Sequence, residues 1–155
     1  MTANQNIKMQ NLNFPKYDFR FQKYQNKLRI FSKLRKKFVI LTPEEWVRQH
    51  CVWFLIHQKD FSPQLMNEEK KVIVNGMSKR YDVVVFRPNG KIRLIVECKS
   101  PDVKISQETF DQIARYNLSL DAQYLMLTNG INHYFCQLDY DKQTYIFLPD
   151  LPKLN

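Results

Sequence analysis

The period of the hydrophobic pattern shifts repeatedly along the chain, and each shift marks an element. Tyr17, Phe19 and Phe21 alternate with Asp18, Arg20 and Gln22, the period of a half-buried strand. Gln25-Asn26 suits a turn and residues 28–31 a returning strand. After the basic step Arg35-Lys36-Lys37 comes a third apolar run, Phe38-Val39-Ile40-Leu41. Residues 14–41 thus read as a small basic β layer. Its aromatic residues alternate too regularly for base-stacking platforms and read as core. The period then becomes helical. Thr42 suits an N-cap, Pro43 the first helical position, and Glu45 the closing position of a capping box. Val47, Cys51, Phe54 and Leu55 fall on one stripe of a helix that runs to about Gln58. Residues 63–67 read as one further turn at most.

Short apolar runs follow. Residues 71–75 and 80–86 predict two strands, with Gly76 permitting the turn between them. Asn89-Gly90 supplies the positive φ of a tight hairpin into a third strand over residues 92–99. Ser100-Pro101 cannot continue an inner strand. Ser106 caps a second helix running to about Leu120, with Ile105 placed to staple against Phe110. Phe110, Ile113, Ala114 and Asn117 form its inner stripe, while Glu108, Gln112 and Tyr116 stack on another face. Residues 123–127 predict a strand, 128–130 a turn, and 133–138 with 144–148 a terminal hairpin. The step from the strand ending at Lys99 to the strand at 123 needs a crossover, so that part of the sheet is expected to be parallel and the crossover right-handed. The reading is an α/β fold with a small N-terminal β layer and a C-terminal hairpin. All 155 residues are expected in one domain, with 1–13 loose, 14–41 the β layer and 42–148 the core.

Composition adds little to fold class but changes the picture of partners. The net charge is +9, and residues 1–40 carry ten of the 24 Lys and Arg against the single acid Asp18. The remaining residues carry fourteen of each sign, so the whole excess lies in the first quarter. Such an imbalance suggests a polyanion, most simply nucleic acid; the plainer alternative is a solvated basic extension. Arg35, Lys36 and Lys37, with Arg80, are the phosphate-contacting candidates. No apolar stretch approaches the roughly 20 residues of a membrane span. The first residues lack a signal-peptide core, so a cytoplasmic location is expected. Cys51, Cys98 and Cys136 form no CxxC pair and read as buried free thiols. His50, His57 and His133 lack zinc spacing and read as ordinary histidines.

The chemistry gathers between Tyr81 and Lys99. The strand at 92–99 is apolar through Leu94-Ile95-Val96 and then turns abruptly to Glu97-Cys98-Lys99. Pleating sends Glu97 and Lys99 to one face, and the hairpin brings Asp82 alongside. Two carboxylates and one ammonium at the edge of an apolar sheet either form a strand-end ion-pair network or bind a cation. Without a cation, the two acids are expected to repel each other, since Lys99 neutralises only one.

Asp82, then Glu97-Cys98-Lys99 across a hairpin, then a helix, resembles the PD-(D/E)xK nucleases. Gln112-Ile113-Ala114-Arg115-Tyr116 matches the QxxxY element of the RecB-like nucleases within that group. Residues 31–49 further resemble the N-terminal nuclease domain of type I restriction R proteins. Tyr81 stands where the Pro of the pattern often lies. The resemblance implies a restriction-endonuclease-like αβββαβ core, a mixed central sheet flanked by helices. It implies Mg²⁺ or Mn²⁺ held by Asp82, Glu97 and the Cys98 backbone carbonyl. Glu45 is a further acid used by some relatives, although its capping role explains it more simply. Lys99 would orient the attacking water or stabilise the phosphorane, and Gln112 and Tyr116 would position Lys99 or contact the DNA backbone. The implied function is a metal-dependent DNA endonuclease. The alternatives are a catalytically silent nucleic-acid-binding or assembly module of the same fold, and a RecB-like exonuclease. No GxxxxGK[ST] phosphate loop occurs in these residues, so the chain is expected either to act alone or to receive a translocase or specificity subunit in trans.

Overall fold

The computed structural model of the protein describes residues 9–74 and 76–153. A first antiparallel sheet holds β1 (Phe21–Tyr24), β2 (Lys27–Ser32) and β3 (Lys37–Ile40) in that order. α1 (Pro43–His57) follows, and then a 3-10 turn at Pro63–Leu65. Next come β4 (Met66–Val74), β5 (Met77–Phe86), β6 (Ile92–Cys98), α2 (Gln107–Asn117), β7 (Tyr124–Thr128), β8 (His133–Asp139) and β9 (Thr144–Leu148). These seven strands and helices build a sheet of order β4-β5-β6-β7-β8-β9. β6 and β7 are parallel across the α2 crossover, and the other neighbours are antiparallel. The helix, three strands, helix, strand order is the αβββαβ core that the resemblance implies.

Strand alternation splits the core into two layers. Val83, Val85, Leu94, Val96 and Met126 face α1, where Val47, Cys51 and Leu55 meet them. Val84, Ile95, Leu125 and Leu127 face α2, where Phe110 and Ala114 meet them. Each fully buried Val, Leu or Ile contributes about 1.5–3 kcal/mol, so the sheet is held from both sides. Both helices start where their caps place them: Thr42 Oγ1 accepts from Glu45 N at 3.0 Å and Ser106 Oγ from Thr109 N at 3.1 Å. The second helix ends at Asn117, and a 3-10 turn at Leu118–Leu120 completes the expected span. No helix among the described residues is long and apolar enough to cross a membrane.

Several expectations are corrected. The Glu45 carboxylate does not close a capping box; it accepts from Arg35, Arg48 and Gln49 instead. β1 starts only at Phe21, and Tyr17 and Phe19 pack as rings on a second, aromatic stripe of α1 formed by Trp46, His50, Trp53 and His57. Alternation there served helix packing rather than a strand ladder. The Asn89-Gly90 connection is longer than a two-residue turn: Arg87 N donates to Lys91 O at 2.7 Å, and only Gly90 is left-handed, with φ 87°. The strand expected to end at Asn75 ends at Val74, and Asn75 lies outside the described residues, as do residues 1–8 of the segment expected to be loose. Residues 9–13 are tied down. Gln10 O accepts from Trp46 Nε1 at 2.9 Å, Leu12 packs on the α1-side core, and Asn13 N donates to Gly130 O at 2.7 Å.

That strap makes Gly130 more constrained than the other turn glycines. Its φ is +86°, and a Cβ would stand 2.8 Å from Leu12 Cδ2 and 3.0 Å from Val47 Cγ2. Gly90 has a similar φ of +87° with nothing within 4 Å. Alanine at either glycine is expected to cost about 1–2 kcal/mol for the left-handed backbone. Gly130→Ala should add about 1–3 kcal/mol for crowding. Urea unfolding of both variants checks this; equal losses would show that the strap yields freely.

Candidate active site

Asp82 sits at a fault in the sheet. Residues two apart on a strand should share a face, yet Tyr81 packs with the α2-side core and Val83 with the α1-side core. The β4–β5 register shows the same break: Glu68 pairs with Val83 and Lys70 with Tyr81, while Glu69 between them has a left-handed φ of 55°. Such bulges re-aim side chains. Here Asp82 Oδ2 accepts from Cys98 N at 2.8 Å, clamping the start of the β5 core segment to the end of β6. β6 itself stays regular, with Val96 and Cys98 on the α1 side, so Glu97 points to the α2 side. The sheet therefore brings Asp82, Glu97 and Lys99 together on adjacent strands.

A second layer of charge, unread in the sequence, surrounds them. Arg48 of α1 reaches Asp82 Oδ1 at 2.7 Å, Glu45 Oε1 at 2.8 Å, Glu69 Oε1 at 2.7 Å and Glu44 Oε1 at 3.1 Å. Arg35 bonds Glu45 Oε1 and Glu68 Oε2, each at 2.7 Å. Gln49 Nε2 donates to Glu45 and Glu68, and Ser32 Oγ donates to Glu68. Burial is the main cause that raises the Glu68 carboxyl pKa, opposed by Arg35. The facing acids hold the Arg48 guanidinium firmly charged despite its burial.

Glu97 is set differently. Burial raises its pKa first, and Lys79 opposes the shift. Lys79 Nζ stands 3.0 Å from Glu97 Oε1, an ion pair outside hydrogen-bonding alignment, so that oxygen keeps an unfilled acceptor direction. The Lys79 ammonium also lies over the Tyr81 and Tyr116 rings at 4.7 and 4.6 Å. Tyr116 is thus joined to Glu97 through Lys79, while Gln112 lies exposed one turn earlier on α2. The half-buried Lys99 makes no ion pair within 4.0 Å among the described residues, although its charge offsets part of the burial that raises the carboxyl pKa of Glu97 and Glu44.

The remaining candidates divide. Arg35 turns inward to the acids, whereas Lys36 and Lys37 stand exposed on the turn before β3. Arg80 is mostly exposed, 3.5 Å from Glu69. Cys51, Cys98 and Cys136 are buried free thiols, with Cys51 and Cys98 Sγ 4.0 Å apart under the site. His50 and His133 are structural: Nδ1 of His50 meets Trp46 O at 2.8 Å, and Nε2 of His133 meets Asn13 O at 2.6 Å.

The expected repulsion between Asp82 and Glu97 is present, since Asp82 adds to the burial that raises the Glu97 pKa, but each acid also has its own cation, Arg48 and Lys79 respectively, where Lys99 alone was expected. Among the described residues no group of three or more His, Cys, Asp or Glu is gathered to hold a metal ion; what the junction offers is carboxylate and carbonyl oxygen, the ligand type a hard divalent ion prefers, with one buried oxygen of Glu97 lacking an aligned donor. Counting Glu44, Glu45, Glu68, Glu69, Asp82 and Glu97 against Arg35, Arg48, Lys79, Arg80 and Lys99 leaves a formal surplus of one acid, which a divalent cation would more than balance. Such an ion must displace Arg48 from Asp82 or Lys79 from Glu97.

Comparison with known proteins gives a match to the family described as "Type I restriction enzyme R protein N terminus" over residues 43–152. A search of the curated proteins returned no match. Among solved structures, a DUF820 protein of Anabaena variabilis, described as a candidate nuclease, aligns at 16% identity with a TM-score of 0.44. The alignment covers 88% of this chain and 80% of that one.

Removing Arg48 should expose how much the site depends on it. Arg48→Met leaves Glu45 and Asp82 without their shared cation and is expected to cost about 3–5 kcal/mol at neutral pH. The deficit should shrink toward pH 4 as the orphaned carboxylates take up protons. Urea unfolding across that range is the measurement, and a loss below about 1 kcal/mol at neutral pH would mean the acids are satisfied without Arg48.

Proposed function

The chain belongs to the family of the type I restriction enzyme R protein N terminus, and from that premise we propose that it is a metal-dependent deoxyribonuclease that hydrolyses phosphodiester bonds within DNA. The observation that carries the reading is the junction of Asp82 on β5 with Glu97 and Lys99 at the end of β6, where Lys99 makes no ion pair among the described residues. Asp82, Glu97 and the Cys98 carbonyl would hold Mg²⁺ or Mn²⁺, with Glu45 close behind through Arg48. Bound there, the ion supplies positive charge to the scissile phosphate and acidifies a coordinated water.

The chain's own groups do the rest. Lys99 makes no ion pair among the described residues, which leaves its ammonium available to hold the attacking water or the developing phosphorane charge. Lys79, fixed between the Tyr81 and Tyr116 rings, keeps Glu97 oriented. Exposed Lys36, Lys37 and Arg80 contact phosphates, and Gln112 and Tyr116 face the backbone of the strand being cut. A translocase or specificity subunit acting in trans would deliver the DNA.

The grip of Arg48 on Asp82 favours a second reading, DNA binding without cleavage. A supercoiled closed circular plasmid distinguishes the readings. The endonuclease reading expects nicked and linear products with Mg²⁺ and none with EDTA. Lys99→Ala and Asp82→Asn should each lower the rate on the order of a hundredfold or more. No product from the circle but degradation of linear DNA marks an exonuclease; binding with no product marks the silent module. Cleavage that survives in both variants would sink the site assignment.

Glu97 should show a trade between stability and activity. Its carboxyl holds a proton more tightly in the folded protein than in an unfolded chain, chiefly through burial. Unfolding then releases that proton, so stability is full at pH values below the ordinary glutamate range and declines as pH rises above it. Glu97→Gln should therefore melt higher than wild type at neutral pH in EDTA, show a flatter pH dependence, and lose cleavage. A lower melting temperature in EDTA at neutral pH would show that Lys79 outweighs burial.

A further inference from the structure

The β4–β5 hairpin runs past the sheet. β6 pairs with β5 from Val83 onward, while residues 77–81 of β5 pair with residues 70–74 of β4 alone among the described residues. Five cross-strand pairs make an arm roughly 15 Å long at about 3.3 Å per residue. The arm begins where the site begins, since Asp82 follows Tyr81 directly.

Its two faces differ. Val72, Lys79 and Tyr81 lie on the half-buried face, next to the α2-side core. Lys71, Ile73, Ser78 and Arg80 lie on the other, and all four are exposed. Lys71 is directly opposite Arg80, and Ile73 opposite Ser78. Like charges directly opposed on a two-stranded ribbon are destabilising unless an anion lies across them, and here Glu69 at the base of the arm only partly offsets the pair, from 3.5 Å on the Arg80 side. Ile73 is 74% exposed near the tip, an expensive place for a large aliphatic side chain with nothing to cover it. Between residues 70 and 81 there are four cations, Lys70, Lys71, Lys79 and Arg80, and no acid.

We propose that this arm grips duplex DNA beside the site, with the Lys71–Arg80 pair on phosphates and Ile73 making an apolar contact to the nucleotides. The proposal rests on the nuclease reading and deepens it by naming the surface that seats the substrate. A two-stranded ribbon is narrow enough to enter a major groove about 12 Å wide. The arm is also continuous with the metal-binding strand, so DNA held on it lies against Asp82. Charge complementarity selects the occupant: an all-cationic exposed face with one apolar tip suits a polyanion with hydrophobic base surfaces.

The test measures binding of a short fluorescent duplex by anisotropy across a salt series, in EDTA, with supercoiled plasmid cleavage in Mg²⁺ as the parallel readout. Lys71→Ala/Arg80→Ala should bind at least tenfold more weakly at moderate salt, with the slope of log affinity against log salt reduced by about two. Ile73→Ser should weaken binding severalfold with the slope unchanged. Cleavage by each should fall in step with binding and recover at high DNA concentration. All of these positions are exposed, and unchanged melting curves verify that the variants fold. Wild-type affinity and slope in both variants would overturn the arm while leaving the nuclease reading intact, and would be the outcome if the arm docks a protein subunit. A wild type that neither binds nor cuts DNA overturns both.

Discussion

Everything around the site depends on one constraint: carboxylates buried against an apolar sheet must share cations. Arg48 bridges acids from α1, β4 and β5, and Arg35 joins the first sheet to α1 and β4. Truncating such a pair costs far more than the pair itself contributes, because the orphaned charge stays buried. The network therefore fixes geometry more than it adds stability. It sets the angle of α1, seats the basic β layer through Ser32 and Arg35, and aims Asp82 across the gap to Cys98.

The two acids of the site receive different environments from the sheet. The fault at Asp82 turns its carboxylate onto the Cys98 amide and the Arg48 guanidinium. The regular pleat at Glu97 leaves it buried on the α2 side with one misaligned lysine. One acid is paired at short range with a guanidinium, while the other is pushed toward protonation chiefly by burial. Separated environments for paired carboxylates are a recurring way for one site to bind a cation and still manage a proton.

Much of this was legible in the sequence. The capped helices, the parallel step and the meeting of Asp82 with Glu97 all follow from local rules: period, caps and pleat. What was not legible depends on tertiary partners. Arg35 read as a phosphate-contacting residue of a basic run, because nothing in its neighbourhood discloses Glu68. Glu68 and Glu69 gave no signal ahead of the strand expected from residue 71, since burial of a carboxylate leaves no periodic trace. Trp46, His50, Trp53 and His57 did carry a signal, a second helical stripe opposite the first, which Tyr17 and Phe19 cover. Lys79 was missed because it lies past the bulge, where counting by twos fails.

The strap at the start of the chain has a consequence for how the protein is made. Asn13 bonds Gly130, and Leu12 packs beside the same turn. A ribosome adding about 5–20 residues per second reaches that turn roughly 6–20 s after the strap has been synthesised. Until then Leu12 and Asn13 have no turn to close on, so the ring that ties them to Gly130 is completed only late in synthesis, after α1 and β4 have already seated the β layer.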